Sequence, residues 1–201
     1  ILLFSLFFLS SPSVFADDIS DFQIEGMSIG DSLLDYMTED EILKEIERTK
    51  NHYSSLKEPN KYVEVYTKKN LQTYDSVSFF VKNTQSNKYV TNKNEKYEIL
   101  SIYGMMDFTE NFYSCLLERD EIVTVLSEIF PNANKSEEFF EHSADPSGDS
   151  KIDGVYFDFE SGAVSEVSCF NFEKTFRIKS NWSDLLNVGI VSPEVASWLR
   201  Y

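Results

Sequence analysis

With 34 acidic against 18 basic side chains among its 201 residues, a net charge of −16, the chain is poorly suited to nucleic acid or an anionic membrane surface, since both need clustered Lys and Arg. Its hydrophobic share of 42%, with 17 Phe and 11 Tyr, is too apolar and aromatic for a disordered acidic segment. The longest basic cluster, Lys68-Lys69 with Lys82, Lys88, Lys93 and Lys96, is diluted by Asn, Gln and Thr and reads as solvated strand ends and loops.

The first sixteen residues, ILLFSLFFLSSPSVFA, carry no charge. The run Ile1 to Leu9 is too short to span a bilayer, Ser10-Ser11-Pro12 breaks it, and Val14-Phe15-Ala16 offers a signal-peptidase-like step before Asp17. This predicts export by a signal peptide at residues 1–16, to the periplasm or the outside. The initiator Met and a basic leader do not precede the run, so the chain is expected to begin inside its reading frame. Cleavage after Ala16 would leave residues 17–201 as one domain, long enough to bury a core of its own. No later stretch is long and apolar enough to span a membrane, and no Cys follows the tag to carry a lipid, so a soluble mature form is expected.

Asp21 to Glu25 reads as a short strand closed by Gly26, and Gly30-Asp31 opens a helical turn through Met37. Thr38-Glu39-Asp40-Glu41 has the capping-box spacing, and Ile42, Leu43 and Ile46 give the following helix one apolar face up to about Lys50. Past Pro59-Asn60, Tyr62 to Thr67, Tyr74 to Lys82 and Lys96 to Phe108 are rich in β-branched and aromatic residues and predict three strands. Phe112, Cys115, Leu116, Ile122, Val123, Leu126, Ile129 and Phe130 repeat at three and four, which predicts a long helix ended by Pro131. An acidic connection from Asn132 to Ser150 then turns at Asp145-Pro146-Ser147-Gly148. Lys151 to Phe159 and Ala163 to Phe172 flank the three-residue loop Glu160-Ser161-Gly162 and predict a hairpin. Asn181 to Val188 reads as a short helix, and Ser192-Pro193-Glu194 starts a last one, with Ser192 as cap and Pro193 at its first position. Strands in consecutive groups favour an α+β fold over an alternating parallel one. The expectation is a mainly antiparallel sheet of five to six strands with the long helix on one face and short terminal helices.

Cys115 and Cys169 are the two cysteines, and an even count in an exported chain favours a bridge. A three-residue hairpin loop pairs Phe159 with Ala163, which collects Val155, Phe157, Phe159, Val167 and Cys169 on one face. Cys115 lies on the apolar stripe of the long helix. If that stripe packs on that face, the sulfurs meet and staple helix to sheet; otherwise both are buried thiols.

Gly30-Asp31-Ser32-Leu33 resembles the nucleophile block of the SGNH/GDSL esterases, and that resemblance makes Ser32 a candidate nucleophile. Those enzymes carry an Asp three residues before a C-terminal His. Here His52 and His142 are preceded at that offset by Thr49 and Phe139. A serine without a base in reach is not activated, so Asp31 as a helix cap is the simpler assignment. Asp145, Ser147, Asp149 and Asp153 alternate oxygens as a calcium loop does. Position six is Ser150 rather than Gly and position twelve is Tyr156 rather than Glu, so with Glu137, Glu138 and Glu141 they read as a solvated acidic loop. Two separated histidines give no compact zinc set, no phosphate-binding glycine loop is present, and no cofactor is expected. Tyr62, Tyr66, Tyr97, Tyr103 and Tyr156 are candidates for a binding face, or else half-buried sheet residues with wet hydroxyls.

The segments DFQIEGMSIGDSLLDYMTEDEI, ERDEIVTVLSEIF and DPSGDSKIDGVYF…SEVSCF are together similar to small secreted hypothetical proteins of marine alphaproteobacteria, which implies a home in the export compartment and nothing catalytic. The Gly-Met-Ser turn before an acidic helix also resembles the first repeat of small envelope-assembly lipoproteins. The expected function is a non-catalytic envelope protein that binds a partner protein, peptide or small ligand through its sheet face or acidic loop. The alternative is a hydrolase using Ser32.

Overall fold

The structure, a computed structural model, describes Ile19 and residues 22–200 apart from Asn87. The predicted signal peptide lies outside the described residues. The fold is α+β, a seven-stranded antiparallel sheet with four α-helices. Helix α1 (Glu39–Thr49) precedes the strands β1 (Tyr62–Thr67), β2 (Ser76–Lys82) and β3 (Ser101–Asp107). Helix α2 (Phe112–Ile129) then carries the chain to β4 (Asn134–Glu141) at the far edge. From there β5 (Lys151–Asp158), β6 (Val164–Asn171), α3 (Lys174–Ser180) and β7 (Leu185–Val191) lead back to the centre, and α4 (Pro193–Leu199) follows. The strand order is β1-β2-β3-β7-β6-β5-β4, two meanders joined where β3 meets β7.

Local signals explain much of this. Thr38 and Glu41 form the reciprocal capping box at the start of α1. Ser192 caps α4 with Pro193 behind it. In the β5–β6 hairpin, Phe159 donates its N–H to Ala163 at 3.0 Å, so Val155 opposes Val167 as the loop length demands.

One face of the sheet carries the main core: Val63, Val65, Phe79, Ile102, Val188, Ile190, Val167 and Phe157 pack with Ile42 and Ile46 of α1 and Ile122, Val123 and Leu126 of α2. There Cys115 and Cys169 form the disulfide, with Cα atoms 6.0 Å apart, fastening α2 to β6. Closing 54 residues stabilises by about 4 kcal/mol in the chain-entropy model. The other face carries a smaller aromatic core over β1–β3. Trp198 of α4 packs on Tyr53 and Tyr62, both with centroids 5.2 Å away, and on Phe80. Its indole N–H donates to the Glu58 carbonyl at 2.8 Å.

Four expectations are corrected. Asn181 to Val188 is not a helix. Helix α3 stops at Asn181, in the left-handed region at φ 56°, and Leu186, Val188 and Ile190 then alternate into the core along β7. The acidic connection from Asn132 to Ser150 contains a full strand, β4, so the sheet has seven strands rather than five or six. The strand expected over Asp21 to Glu25 reduces, among the described residues, to a bridge between Ile24 and Met27 across a tight turn at Glu25 and Gly26, with φ of 54° and 77°. The third strand begins at Ser101 rather than Lys96. No described helix is long and apolar enough to cross a membrane.

Candidate functional site

On the face away from α2, beyond the Trp198 core, a cleft of about 310 Å³ opens between α4 and β4–β6. Strand alternation builds its floor. Tyr103 lies opposite Gly189, and a Cβ on Gly189 would meet the Tyr103 ring at 2.0 Å, so only glycine lets the ring lie flat across β7. Glu166 pairs with Tyr156 across β6 and β5, and both face the cleft. Ser136 and Glu138 of β4 line its outer side, while Val164, Val191, Ala196 and Leu199 form an apolar wall.

The floor is electrostatically unbalanced. Burial raises the Glu166 carboxyl above its ordinary value, with Ser168 and Asn187 pulling the other way. The Tyr156 phenol is pushed up to about 12, by burial and then by the Glu166 charge. Burial likewise raises Tyr103 well above its usual value. Ser168, fully buried beside them, opposes the rise at both Glu166 and Tyr156. The cation at the cleft, Arg200, pairs with Asp158 at 3.3 Å, and among the described residues neither Glu138 nor Glu166 has an ion pair. A concave site with an apolar wall, a few convergent polar groups and perturbed carboxyl and phenol groups is the usual form of a ligand pocket.

The residues singled out in the sequence go to several places. Ser32 caps the one-turn helix Leu33–Asp35, its hydroxyl accepting from the Leu34 N–H at 3.3 Å. Asp31 holds the Ser28 N–H and the Tyr36 hydroxyl at 2.9 and 2.8 Å. Neither histidine is bonded to Ser32: His52 faces Glu64 at 3.4 Å, and His142 accepts from the Ala144 N–H at 3.2 Å. Burial lowers the His142 imidazole below its ordinary value.

The three acids of the calcium-like loop separate. Asp145 accepts from the Ser150 and Ser147 hydroxyls and both their N–H groups, which hold it down at about 2. Asp149 is exposed, and Asp153 pairs with Arg119 of α2. No group of three or more His, Cys, Asp or Glu gathers to hold a metal ion among the described residues.

Of the five tyrosines, Tyr103 and Tyr156 reach the cleft. Tyr62 joins the Trp198 core, Tyr66 lies under Arg48, and Tyr97 donates to Glu39 at 2.9 Å. Glu166 was missed, although the hairpin register already sets it opposite Tyr156 on the face away from Cys169. No protein-family model, curated protein or solved structure matches the chain.

Proposed function

We propose that the protein is an exported, non-catalytic binding protein that takes a small ligand with an apolar body and a cationic end in the cleft between α4 and β4–β6. The observation that carries this reading is the Glu166 carboxyl on the cleft floor with no cation of its own, beside the unpaired Glu138. A negatively charged ligand would meet two acidic side chains with no cation partner among the described residues, in a chain of net charge −16, whereas a positive one would supply that partner. The apolar wall suits the rest of the ligand. Ser32 as a helix cap without a bonded histidine supports binding over ester hydrolysis.

The test is a titration of amide chemical shifts with three probes of one size: phenethylamine, 2-phenylethanol and phenylacetate. The amine is expected to move the Tyr103, Tyr156 and Gly189 amides, and Glu166→Gln to weaken it by about tenfold, the scale of one charge-assisted contact. Equal binding of phenylacetate, or no shift with millimolar amine, refutes the reading. Hydrolysis of p-nitrophenyl acetate that disappears in Ser32→Ala would replace it with the hydrolase.

A further inference from the structure

We propose that the outer edge of β4 docks an extended segment of a partner protein, in which lysine or arginine alternates with apolar residues, as an eighth strand of the sheet. This goes beyond the cleft reading and does not depend on it.

The hydrogen-bond phase of the edge follows from one contact. His142 donates its N–H to Ser150 at 2.9 Å, and since these two continue the β4–β5 register, Phe140, Glu138, Ser136 and Asn134 exchange backbone bonds with β5. The backbone groups of Lys135, Glu137, Phe139 and Glu141 therefore point away from the sheet. Among the described residues no strand pairs with that side. A row of unpaired strand groups is a template for another chain.

The side chains on the edge are as open as the backbone. Phe139 is 64% exposed on the α2 face and Phe140 39% exposed on the cleft face. A strand laid alongside would cover one ring on each face. Glu137 and Glu141 share the face of Phe139, Glu138 shares that of Phe140, and Lys135 is the single cation on the strand. Lys135 at 3.8 Å and Lys151 at 3.2 Å already answer Glu137 and Glu141, while Glu138 has no ion pair among the described residues. The added strand is therefore called on for basic residues on the Phe140 face and apolar ones on the Phe139 face, the alternation of a strand.

A second copy of this chain fits worse. Only odd-numbered residues offer free backbone groups, so two copies pair antiparallel only in registers that oppose odd with odd. The two registers of fullest overlap set Glu137 against Glu137 or Glu138 against Glu138, between chains of net charge −16.

The experiment uses the disulfide-bonded protein and two capped octapeptides, one alternating lysine with valine and threonine, the other with glutamate in place of lysine. Amide hydrogen exchange reads the edge directly. The lysine peptide is expected to slow exchange at Lys135, Glu137, Phe139 and Glu141 by about tenfold or more, with little change at Ser136, Glu138 and Phe140, which β5 already protects. Glu137→Pro removes an outward donor without breaking the ladder to β5 and is expected to weaken the peptide by about tenfold; Glu138→Gln keeps every outward donor, weakens it less and flattens its salt dependence. No protection at millimolar peptide, or equal protection by the glutamate peptide, overturns the proposal. So do shifts confined to the cleft amides, or a dimer in sedimentation that Glu137→Pro abolishes. Protection of the odd amides alongside failure of phenethylamine to bind would leave this inference standing while the cleft reading falls.

Discussion

At one edge of the sheet α1 lies along β1, and the buried Thr49 hydroxyl donates at 2.6 Å to the Glu64 carbonyl, one of the groups that β1 turns outward. The opposite edge, β4, carries eight residues with no described strand beyond them and two exposed phenylalanines. The faces follow the same division. Over β1–β3 both sides are packed, by α1 below and by the Tyr53–Trp198 aromatics above. Over β4–β6 the cover is mainly α2, held by one disulfide, and the other side is the cleft. Residues at the closed edge therefore act on stability, and residues at the open edge are free to act on partners.

The largest effect expected is on the disulfide. Replacing Cys115 and Cys169 together by Ala should cost about 4 kcal/mol in urea unfolding, less if the reduced chain keeps residual structure. Hydrogen exchange of that variant sharpens the division: β4–β6 should lose protection before β1–β3. Uniform loss across all seven strands would show that the halves are one cooperative unit.

The next effect belongs to the closed edge. Thr49→Val keeps the shape of the side chain and leaves the Glu64 carbonyl without its donor, at about 1–2 kcal/mol. Thr49→Ser, which keeps the hydroxyl, should recover most of it. An unchanged unfolding midpoint in Thr49→Val would mean that α1 does not seal the edge.

The loop between β4 and β5 supplies a pH test at the open end. Donors from Ser150 first, then Ser147, hold Asp145 at about 2, below its ordinary carboxyl value. A carboxylate depressed in the folded state adds stability above its unfolded pKa, and that stability is lost as pH falls through the folded one. Wild type should therefore lose stability between about pH 4 and 2, and Asp145→Asn should flatten that limb. An acid limb unchanged by the substitution would detach the loop from the stability of the open half.

The same division governs what the sequence made legible. The capping box at Thr38 and Glu41, the three-residue hairpin loop and the stripe carrying Cys115 are each set by neighbours within a few residues, and they led to α1, the β5–β6 register and the bridge. Strand β4 shows no alternation because neither of its faces is buried; pairing with β5 alone makes it a strand. Strand β7 does alternate, through Leu186, Val188 and Ile190, but Asn181 to Asp184 read as a helix start, and two flanking strands decided the matter. The cleft was half legible. Tyr103 and Tyr156 stood out as aromatics, while Glu166, one of many acids, gained meaning only from the strands around it.

The smallest effect is the most direct probe of the open edge. Phe139 would be a costly residue to truncate in a core, where losing a buried ring takes about 3–5 kcal/mol. At 64% exposure, opposite Asp153 at the sheet margin, Phe139→Ser should leave the unfolding midpoint within about 0.5 kcal/mol of wild type. Set beside Thr49→Val, it compares one side chain from each edge in one assay: a hydroxyl at the closed edge should outweigh a whole aromatic ring at the open one. A loss of more than about 1 kcal/mol from Phe139→Ser would place the ring under cover from α2, and β4 would then be a sealed edge like β1. Retained stability together with loss of the lysine-peptide protection would assign the exposed ring to docking rather than folding.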